Sequence, residues 1–225
     1  MEAGVDIPWQ QWEAAFFGAT AVASVVAPRS DRVFRAAASP PILGLGPDVQ
    51  TALSSFMDLG FGEGAEDLHL LVQCAALRFG GAYCRWLSQD RDRFAEVIEV
   101  VVQRMGDEAV VEAAAEAFQQ ICSSCSRLIA SSMDVNYLIQ QTIHFTFPTT
   151  SASTAATALI RVIACCPVES AEEHISNLVL PIRESLQQLY TQHVEGEGDV
   201  AELTQEIAKE LNVLGILIRF MDLQP

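Results

Sequence analysis

The stretch VEAAAEAFQQICSSCSRLIAS, residues 111–131, decides the fold class of this chain. Its apolar residues recur at intervals of three and four, so they share one side of a helix: Val111, Ala114, Ala115, Phe118, Ile121, Cys122, Cys125 and Ile129. The opposite side carries the polar residues Glu112, Glu116, Gln119 and Gln120. This periodicity predicts one amphipathic helix from residue 107 to residue 129.

The small residues at the centre of this helix recur along the chain. Alanine-rich helix centres lie at 74–77, 113–115 and 155–158. Their central residues Ala76, Ala114 and Ala156 are spaced by about 40 residues, a period typical of HEAT-type hairpins, whose small residues let neighbouring repeats pack closely. The sequence therefore predicts an all-α fold, an α-solenoid of HEAT-type antiparallel helical hairpins that forms a fragment of a right-handed superhelix. An irregular helical bundle is the alternative.

The same periodicity places the other helices at about 9–27, 48–58, 66–89, 91–105, 134–146, 151–166, 170–194 and 200–222. Ser170 and Glu173 are spaced as a capping box at the start of one of them, and Pro181 predicts a kink within it. We expect a single HEAT-repeat array over residues 1–225. Residues 28–64 form an irregular insertion in this interpretation, and residues 194–199 an acidic glycine linker.

The charge balance limits the classes of partner. The chain has 225 residues, and its 13 basic and 29 acidic residues give a net charge of −16. Such a field repels nucleic acids and anionic lipids and attracts basic polypeptides. We therefore expect no direct binding to nucleic acid or to a membrane, and the charge favours a basic protein partner.

The apolar stretch at residues 14–27 predicts a buried helix, because it is shorter than the roughly 20 residues that span a bilayer. The first ten residues contain Glu2 and Asp6 but no basic residue, which argues against a secretory signal. We therefore expect the six cysteines to be reduced thiols in the cytoplasm or nucleus.

Five segments together resemble a known family. They are WQQWEAAFFGATAVASVVAP at 9–28, DRFAEVIEVVVQRM at 92–105, VEAAAEAFQQICSSCSRLIAS at 111–131, the tract 167–190, and the closing IRFMDLQP at 218–225. In this order they resemble consecutive central HEAT repeats of the importin-β superfamily of nuclear transport receptors (karyopherins), in its transportin-SR and importin-thirteen branch. The run from the alanines to Ile121-Cys122-Ser123-Ser124-Cys125 is the most specific element, because several positions and their spacing match at once.

The resemblance implies a non-enzymatic receptor fragment for nuclear import, which shuttles between cytoplasm and nucleus. It implies protein cargo such as arginine-serine-rich splicing factors, release by the GTPase Ran in its GTP form, and contact with phenylalanine-glycine nucleoporins. Family receptors carry further repeats on both sides, so we expect the main Ran contact to lie outside this chain.

An acidic surface is the candidate binding site. In HEAT hairpins the second helix lines the concave face, which would bring five carboxylates into the groove: Glu96, Glu99, Glu172, Glu173 and Glu184. Carboxylates on a rigid surface can bind Lys- or Arg-rich cargo through charge-assisted hydrogen bonds. A solvated face that only keeps the protein soluble is the alternative.

Other motifs predict structural roles. Cys122 and Cys125 form a CxxC on an apolar stripe, which favours buried free thiols over a zinc site that needs four ligands. The histidines, at positions 69, 144, 174 and 193, lack metal-ligand spacing. The glycines of residues 60–64 lack the Lys-Ser/Thr ending of a phosphate loop and predict a flexible connector. The aromatic cluster of Trp9, Trp12, Phe16 and Phe17 predicts core residues exposed at the end of an array.

Two rival functions remain open on the residues alone. One is a generic HEAT-repeat scaffold for a cytosolic protein complex. The other is a helical enzyme that uses the cysteines or carboxylates as acid, base or nucleophile. We predict binding without catalysis, and no cofactor, catalytic residue or metal.

Overall fold

The structure, a computed structural model, describes residues 8–26, 47–143, 149–195 and 199–222. Within these ranges the regular elements are ten α-helices and one 3₁₀ turn, Ala65–Asp67, with no strand. The helices are α1 Trp9–Val26, α2 Pro47–Phe61, α3 Leu70–Ala82, α4 Cys84–Leu87, α5 Arg91–Arg104, α6 Val111–Ser132, α7 Val135–Ile143, α8 Thr149–Ile163, α9 Val168–Glu195 and α10 Val200–Asp222. The all-α prediction is confirmed.

The chain divides into two compact units, Met1–Ser124 and Cys125–Pro225. In the first unit, α3 packs against both α1 and α2. In the second, α9 packs against α7, α8 and α10, and α10 also packs against α8. Of the predicted segments, residues 28–46 and 196–198 lie outside the described residues. The single array and the right-handed superhelix stay predictions.

Equivalent helices of successive hairpins run parallel in the first unit. Trp9 stacks on His69 with ring centroids 3.7 Å apart, and further along both helices the Tyr83 hydroxyl donates to the Ala19 carbonyl at 2.9 Å. From α3 to α6, the Arg78 guanidinium bonds the Glu116 carboxylate at 2.9 Å across 38 residues. The bond from α3 to α6 spans one repeat, whereas the bond from α1 to α3 spans 64 residues, with the segment 27–69 and α2 between the two helices. Parallel stacking of neighbouring helices is the arrangement of an α-solenoid.

Hydrogen bonds within the second unit span the same sequence distance. His174 on α9 bonds Asn136 on α7 across 38 residues, and Cys165, in the turn after α8, bonds Ser126 on α6 across 39. These separations lie close to the alanine spacing in the sequence, which is about 40 residues. The repeat period is therefore visible both in the pattern of small residues and in the bonds that join the helices.

The prediction of one continuous helix at 66–89 is wrong. The chain forms three elements there, namely the 3₁₀ turn, α3 and α4. Leu68 is extended (φ −67°, ψ 152°), and the His69 ring caps α3 by accepting from the Leu71 amide at 3.3 Å. Tyr83 leaves the helical region (φ −101°, ψ 11°) between α3 and α4. Its buried ring contacts Phe79 and its hydroxyl reaches α1, so tertiary contacts favour the break.

The helix predicted at 107–129 begins at Val111 and is interrupted at Cys125 (φ −124°, ψ 19°). Residues 123–126 read Ser-Ser-Cys-Ser, and all four have lower helix propensity than alanine or leucine. Serine hydroxyls also compete for backbone hydrogen bonds. The boundary between the two compact units falls at this same interruption.

The expected capping box at Ser170 does not form, because α9 begins earlier, at Val168. The Ser170 hydroxyl donates to the Pro167 carbonyl at 3.0 Å, and the Glu173 carboxylate accepts from the Asn136 side chain. The helix continues through Pro181 to Glu195. Within the described residues, no helix combines the length and apolar character needed to cross a membrane.

Small residues set the distance between α3 and α6. A Cβ added at Gly81 would lie 2.9 Å from the Ala117 Cα and 2.9 Å from the Gln120 Oε1. Ala113, Ala114, Ala115 and Ala117 of α6 are themselves buried. The backbone of α6 therefore lies directly against α3, where no larger side chain fits.

We expect Gly81→Ala to destabilise the protein by about 1–3 kcal/mol, because the added methyl group overpacks a rigid backbone contact. Gly18→Ala is the matched control, since Gly18 is also helical but a Cβ there meets nothing within 4 Å. That change should stabilise by up to about 1 kcal/mol through helix propensity. Urea unfolding followed by far-UV circular dichroism measures both. Equal stabilisation by the two changes would contradict the close approach.

Cys122 provides a second test of the packing. Its side chain is fully buried, and burial raises the pKa of its thiol far above the ordinary range, with nearby Cys84 adding to the shift. Cys165, by contrast, is exposed. We expect iodoacetamide at pH 8 to modify Cys165 first and Cys122 at least about a hundredfold more slowly, after opening of the core. Peptide mass mapping with and without guanidinium reads out the order, and comparable rates in the native protein would contradict it.

Candidate partner-binding surface

Two of the five predicted carboxylates lie on α5. Glu96 and Glu99 are exposed and three residues apart, so they are neighbours on the helix surface. The other side of α5 is buried and apolar through Phe94, Val97 and Ile98. The amphipathic pattern thus places both carboxylates in solvent, as the sequence predicts.

The other three carboxylates lie on α9. Glu172, Glu173 and Glu184 are all exposed. Glu173 and Glu184 are eleven positions apart, which is close to three full turns, so they share one face about 16 Å apart along the helix axis. Glu173 and Glu184 can therefore both accept hydrogen bonds from one extended peptide that lies along this face.

A polar cluster joins this face of α9 to α7. The Asn136 Oδ1 accepts from the Asn177 Nδ2 at 3.0 Å and lies 2.7 Å from the His174 Nδ1. Because this oxygen can only accept, the His174 Nδ1 carries the proton of that bond. The Asn136 Nδ2 donates to the Glu173 Oε1 at 3.4 Å. The asparagine amide therefore orients the Glu173 side chain.

Sequence reasoning missed Asn136 and Asn177. The available signal was their spacing, because Asn136 precedes His174 by 38 residues and Asn177 by 41, which matches one repeat. Asparagine is also a poor helix former, so two asparagines within helices indicate a use for their side chains. The His174 ring therefore has a hydrogen-bond partner within the protein.

Three arginines form ion pairs with carboxylates outside this set. Arg78 pairs with Glu116, Arg93 with Asp58, and Arg104 with Glu66 and Asp107. In the part of the chain that the structure describes, Glu96, Glu99, Glu172, Glu173 and Glu184 take part in no ion pair with the chain's own cations. These five carboxylates are thus available to an external cation.

The remaining motifs have structural positions. Cys122 and Cys125 are buried in the core, and the described residues contain no group of three or more His, Cys, Asp or Glu that could hold a metal ion. His69 caps α3, His193 is exposed, and His144 lies outside the described residues.

The glycine segment and the aromatic cluster differ from their predictions. Gly60 and Phe61 belong to α2, and a Cβ at Gly60 would lie 2.7 Å from the Ala76 Cβ, so this part of the expected connector is packed helix. Gly64 has φ 81° and supplies the turn that follows. Phe16 is buried against Phe56 and Phe79, whereas Phe17 is 74% exposed. The cluster therefore divides between core and surface.

Comparison with known proteins identifies one related domain. Residues 63–141, from the turn before α3 to α7, match the family model described as the Transportin-3/Importin-13 third TPR domain. This is a repeat domain of transport receptors and not an enzyme family. A search of the curated proteins finds no match.

The matched range contains α3 and α6, which stack one repeat apart, and α5, which lies between them in the sequence. It also contains two of the sequence segments on which the resemblance to nuclear transport receptors rests, 92–105 and 111–131. The sequence motifs, the helical repeat and the domain match agree. Residues 63–141 are accordingly related to the importin-β family through a Transportin-3/Importin-13 repeat domain.

Proposed function

We propose that the chain is a cargo-binding segment of a nuclear transport receptor, which binds basic protein and catalyses no reaction. The family match supports the transport role. The five carboxylates that form no ion pair within the described residues support a basic partner. The cargo in this proposal is arginine-serine-rich protein, such as a splicing factor. It contacts Glu96 and Glu99 on α5, and Glu172, Glu173 and Glu184 on α9.

The remaining features of the transport cycle belong to the same proposal. Cargo is released when Ran in its GTP form binds, mainly through contacts outside this chain, and the receptor moves between cytoplasm and nucleus by touching phenylalanine-glycine nucleoporins. The five carboxylates lie on the concave side of a right-handed superhelix in this proposal. The match to a repeat domain of receptors supports these roles as a group.

The exposure of the carboxylates sets the strength of binding. A single exposed pair of carboxylate and guanidinium contributes only about 0.2–1 kcal/mol, so five such contacts give weak binding that salt weakens further. The net charge of −16 adds long-range attraction, which raises the association rate more than the affinity. Phosphoserine adds about −1.5 to −2 charges per site, so this surface prefers the unphosphorylated peptide.

We expect Glu172→Lys combined with Glu173→Lys to weaken binding of a fluorescent arginine-serine peptide about tenfold or more, because two attractive contacts become repulsive. Fluorescence anisotropy at low salt measures the affinity, and raising the salt or phosphorylating the peptide should weaken it in the parent chain. The matched control is Glu63→Lys with Glu108→Lys, which changes two exposed carboxylates in turns and alters the net charge equally.

The control separates the two sources of attraction. A smaller loss in the control supports a local site on α9, and an equal loss in both variants would show that only the overall field acts. No binding of the unphosphorylated peptide at low salt would contradict the proposed cargo and favour a scaffold role for the repeats. Far-UV circular dichroism confirms that both variants keep their helices.

A further inference from the structure

Asn136 lies at the centre of the polar cluster that joins α7 to α9. Its side chain is half-buried, and it bonds three side chains of α9, those of Glu173, His174 and Asn177. All four residues belong to the second unit. Of the three partners on α9, Glu173 is exposed and belongs to the proposed cargo surface, whereas the other two are half-buried. Asn136 therefore links the packing of two helices to one cargo contact.

The amide of Asn136 has one orientation that suits all of its partners. An ionised carboxylate can only accept, so the end of the amide that lies 3.4 Å from the Glu173 Oε1 is the amino group. The carbonyl oxygen then lies 3.0 Å from the Asn177 Nδ2 and 2.7 Å from the His174 Nδ1, and both nitrogens can donate to it. The two bonds on the oxygen side thus hold the amino group toward Glu173.

This bond restricts Glu173 before any cargo binds. An exposed carboxylate samples several rotamers, and the entropy lost when a cation immobilises it is one reason why exposed ion pairs are weak. The bond from Asn136 occupies one acceptor position on Oε1 and leaves Oε2 available. A side chain that is already oriented loses less freedom on binding, so its contact with a matching group is stronger.

We propose that Asn136 is a positioning residue, through which Glu173 selects a guanidinium group over an ammonium group. The cargo then contacts this point with arginine in preference to lysine. This inference rests on the proposed function, because it assigns the chemistry of one contact on the cargo surface. A guanidinium is a rigid planar fork of donors that matches the two oxygens of a carboxylate held in one orientation. An ammonium is a compact charge on a flexible stem, so it gains less from that orientation.

Glu184 provides the contrast on the same helix. It shares a face of α9 with Glu173 and is also exposed. In the part of the chain that the structure describes, no hydrogen bond or ion pair holds its carboxylate. The two carboxylates thus carry the same charge and differ in orientation. Glu184 should attract arginine and lysine with a smaller difference than Glu173 does.

The test compares an arginine-serine peptide with a lysine-serine peptide of equal length and charge, by fluorescence anisotropy of the full chain at low salt. The selectivity is the Kd of the lysine peptide divided by the Kd of the arginine peptide. We expect Asn136→Ala to lower the selectivity about two- to fivefold, within the range that one exposed ion pair contributes. Glu173→Gln should lower it to the same value, and the double variant should show no further loss.

Glu184→Gln is the matched control, because it removes a carboxylate that no amide orients from the same face of α9. It should weaken the binding of both peptides and leave the selectivity unchanged. Asn136→Ser is a second variant that stays polar, and its shorter side chain cannot reach Glu173, so it should lower the selectivity as Asn136→Ala does. Far-UV circular dichroism checks that each variant keeps its helices.

Equal affinity of the parent chain for the two peptides would overturn the proposal. So would a selectivity that both Asn136 variants leave unchanged, or one that Asn136→Ala lowers further in the Glu173→Gln background, because Asn136 would then act by another route. In those cases a loss of affinity in Glu173→Gln would still support the cargo surface. An unchanged affinity for both peptides in Glu173→Gln would instead remove Glu173 from that surface, and this inference with it.

Discussion

The close contact between the backbones of α3 and α6 is the constraint on which the first unit depends. Gly81 occupies a position where one added methyl group would meet main-chain atoms of Ala117. Phe79 on α3 and Phe118 on α6 are both completely buried. The ion pair of Arg78 and Glu116 then lies at the edge of the same contact, where it aligns the two helices but contributes little energy because both groups are exposed.

The positions of most helices could be predicted from the sequence, because an apolar stripe at intervals of three and four must be buried. The stripe of α5 places Phe94 in the core and Glu96 in solvent, and this also determines the exposure of the candidate carboxylates. The breaks at Tyr83 and Cys125 could not be predicted in the same way. Both residues are apolar enough to fit the stripe, and the break at Tyr83 is tied to a tertiary hydrogen bond with α1.

The orientation of Glu173 likewise required the structure. Periodicity assigns a residue to one side of a helix, but it carries no information on which side chains of the next repeat stand opposite. Asn136 reaches Glu173 because α7 and α9 pack at an offset of one repeat, and this register follows from the packing of their apolar residues. The repeat length of about 40 residues indicates that Asn136 and His174 are neighbours, but it carries no information on the direction of the Glu173 side chain.

The hydrogen bonds that join Arg78 to Glu116 and Asn136 to Asn177 span 38 and 41 residues, which is one repeat in each case. Bonds of this kind link a hairpin to its immediate neighbour, so the neighbour is the folding template that the hairpin needs. An entire hairpin can therefore be gained or lost during evolution if the two new neighbours present matching small residues. In such an architecture, gene duplication can change the number of repeats. The positions of glycine and alanine within each repeat cannot change in the same way, because they determine how closely neighbouring helices pack.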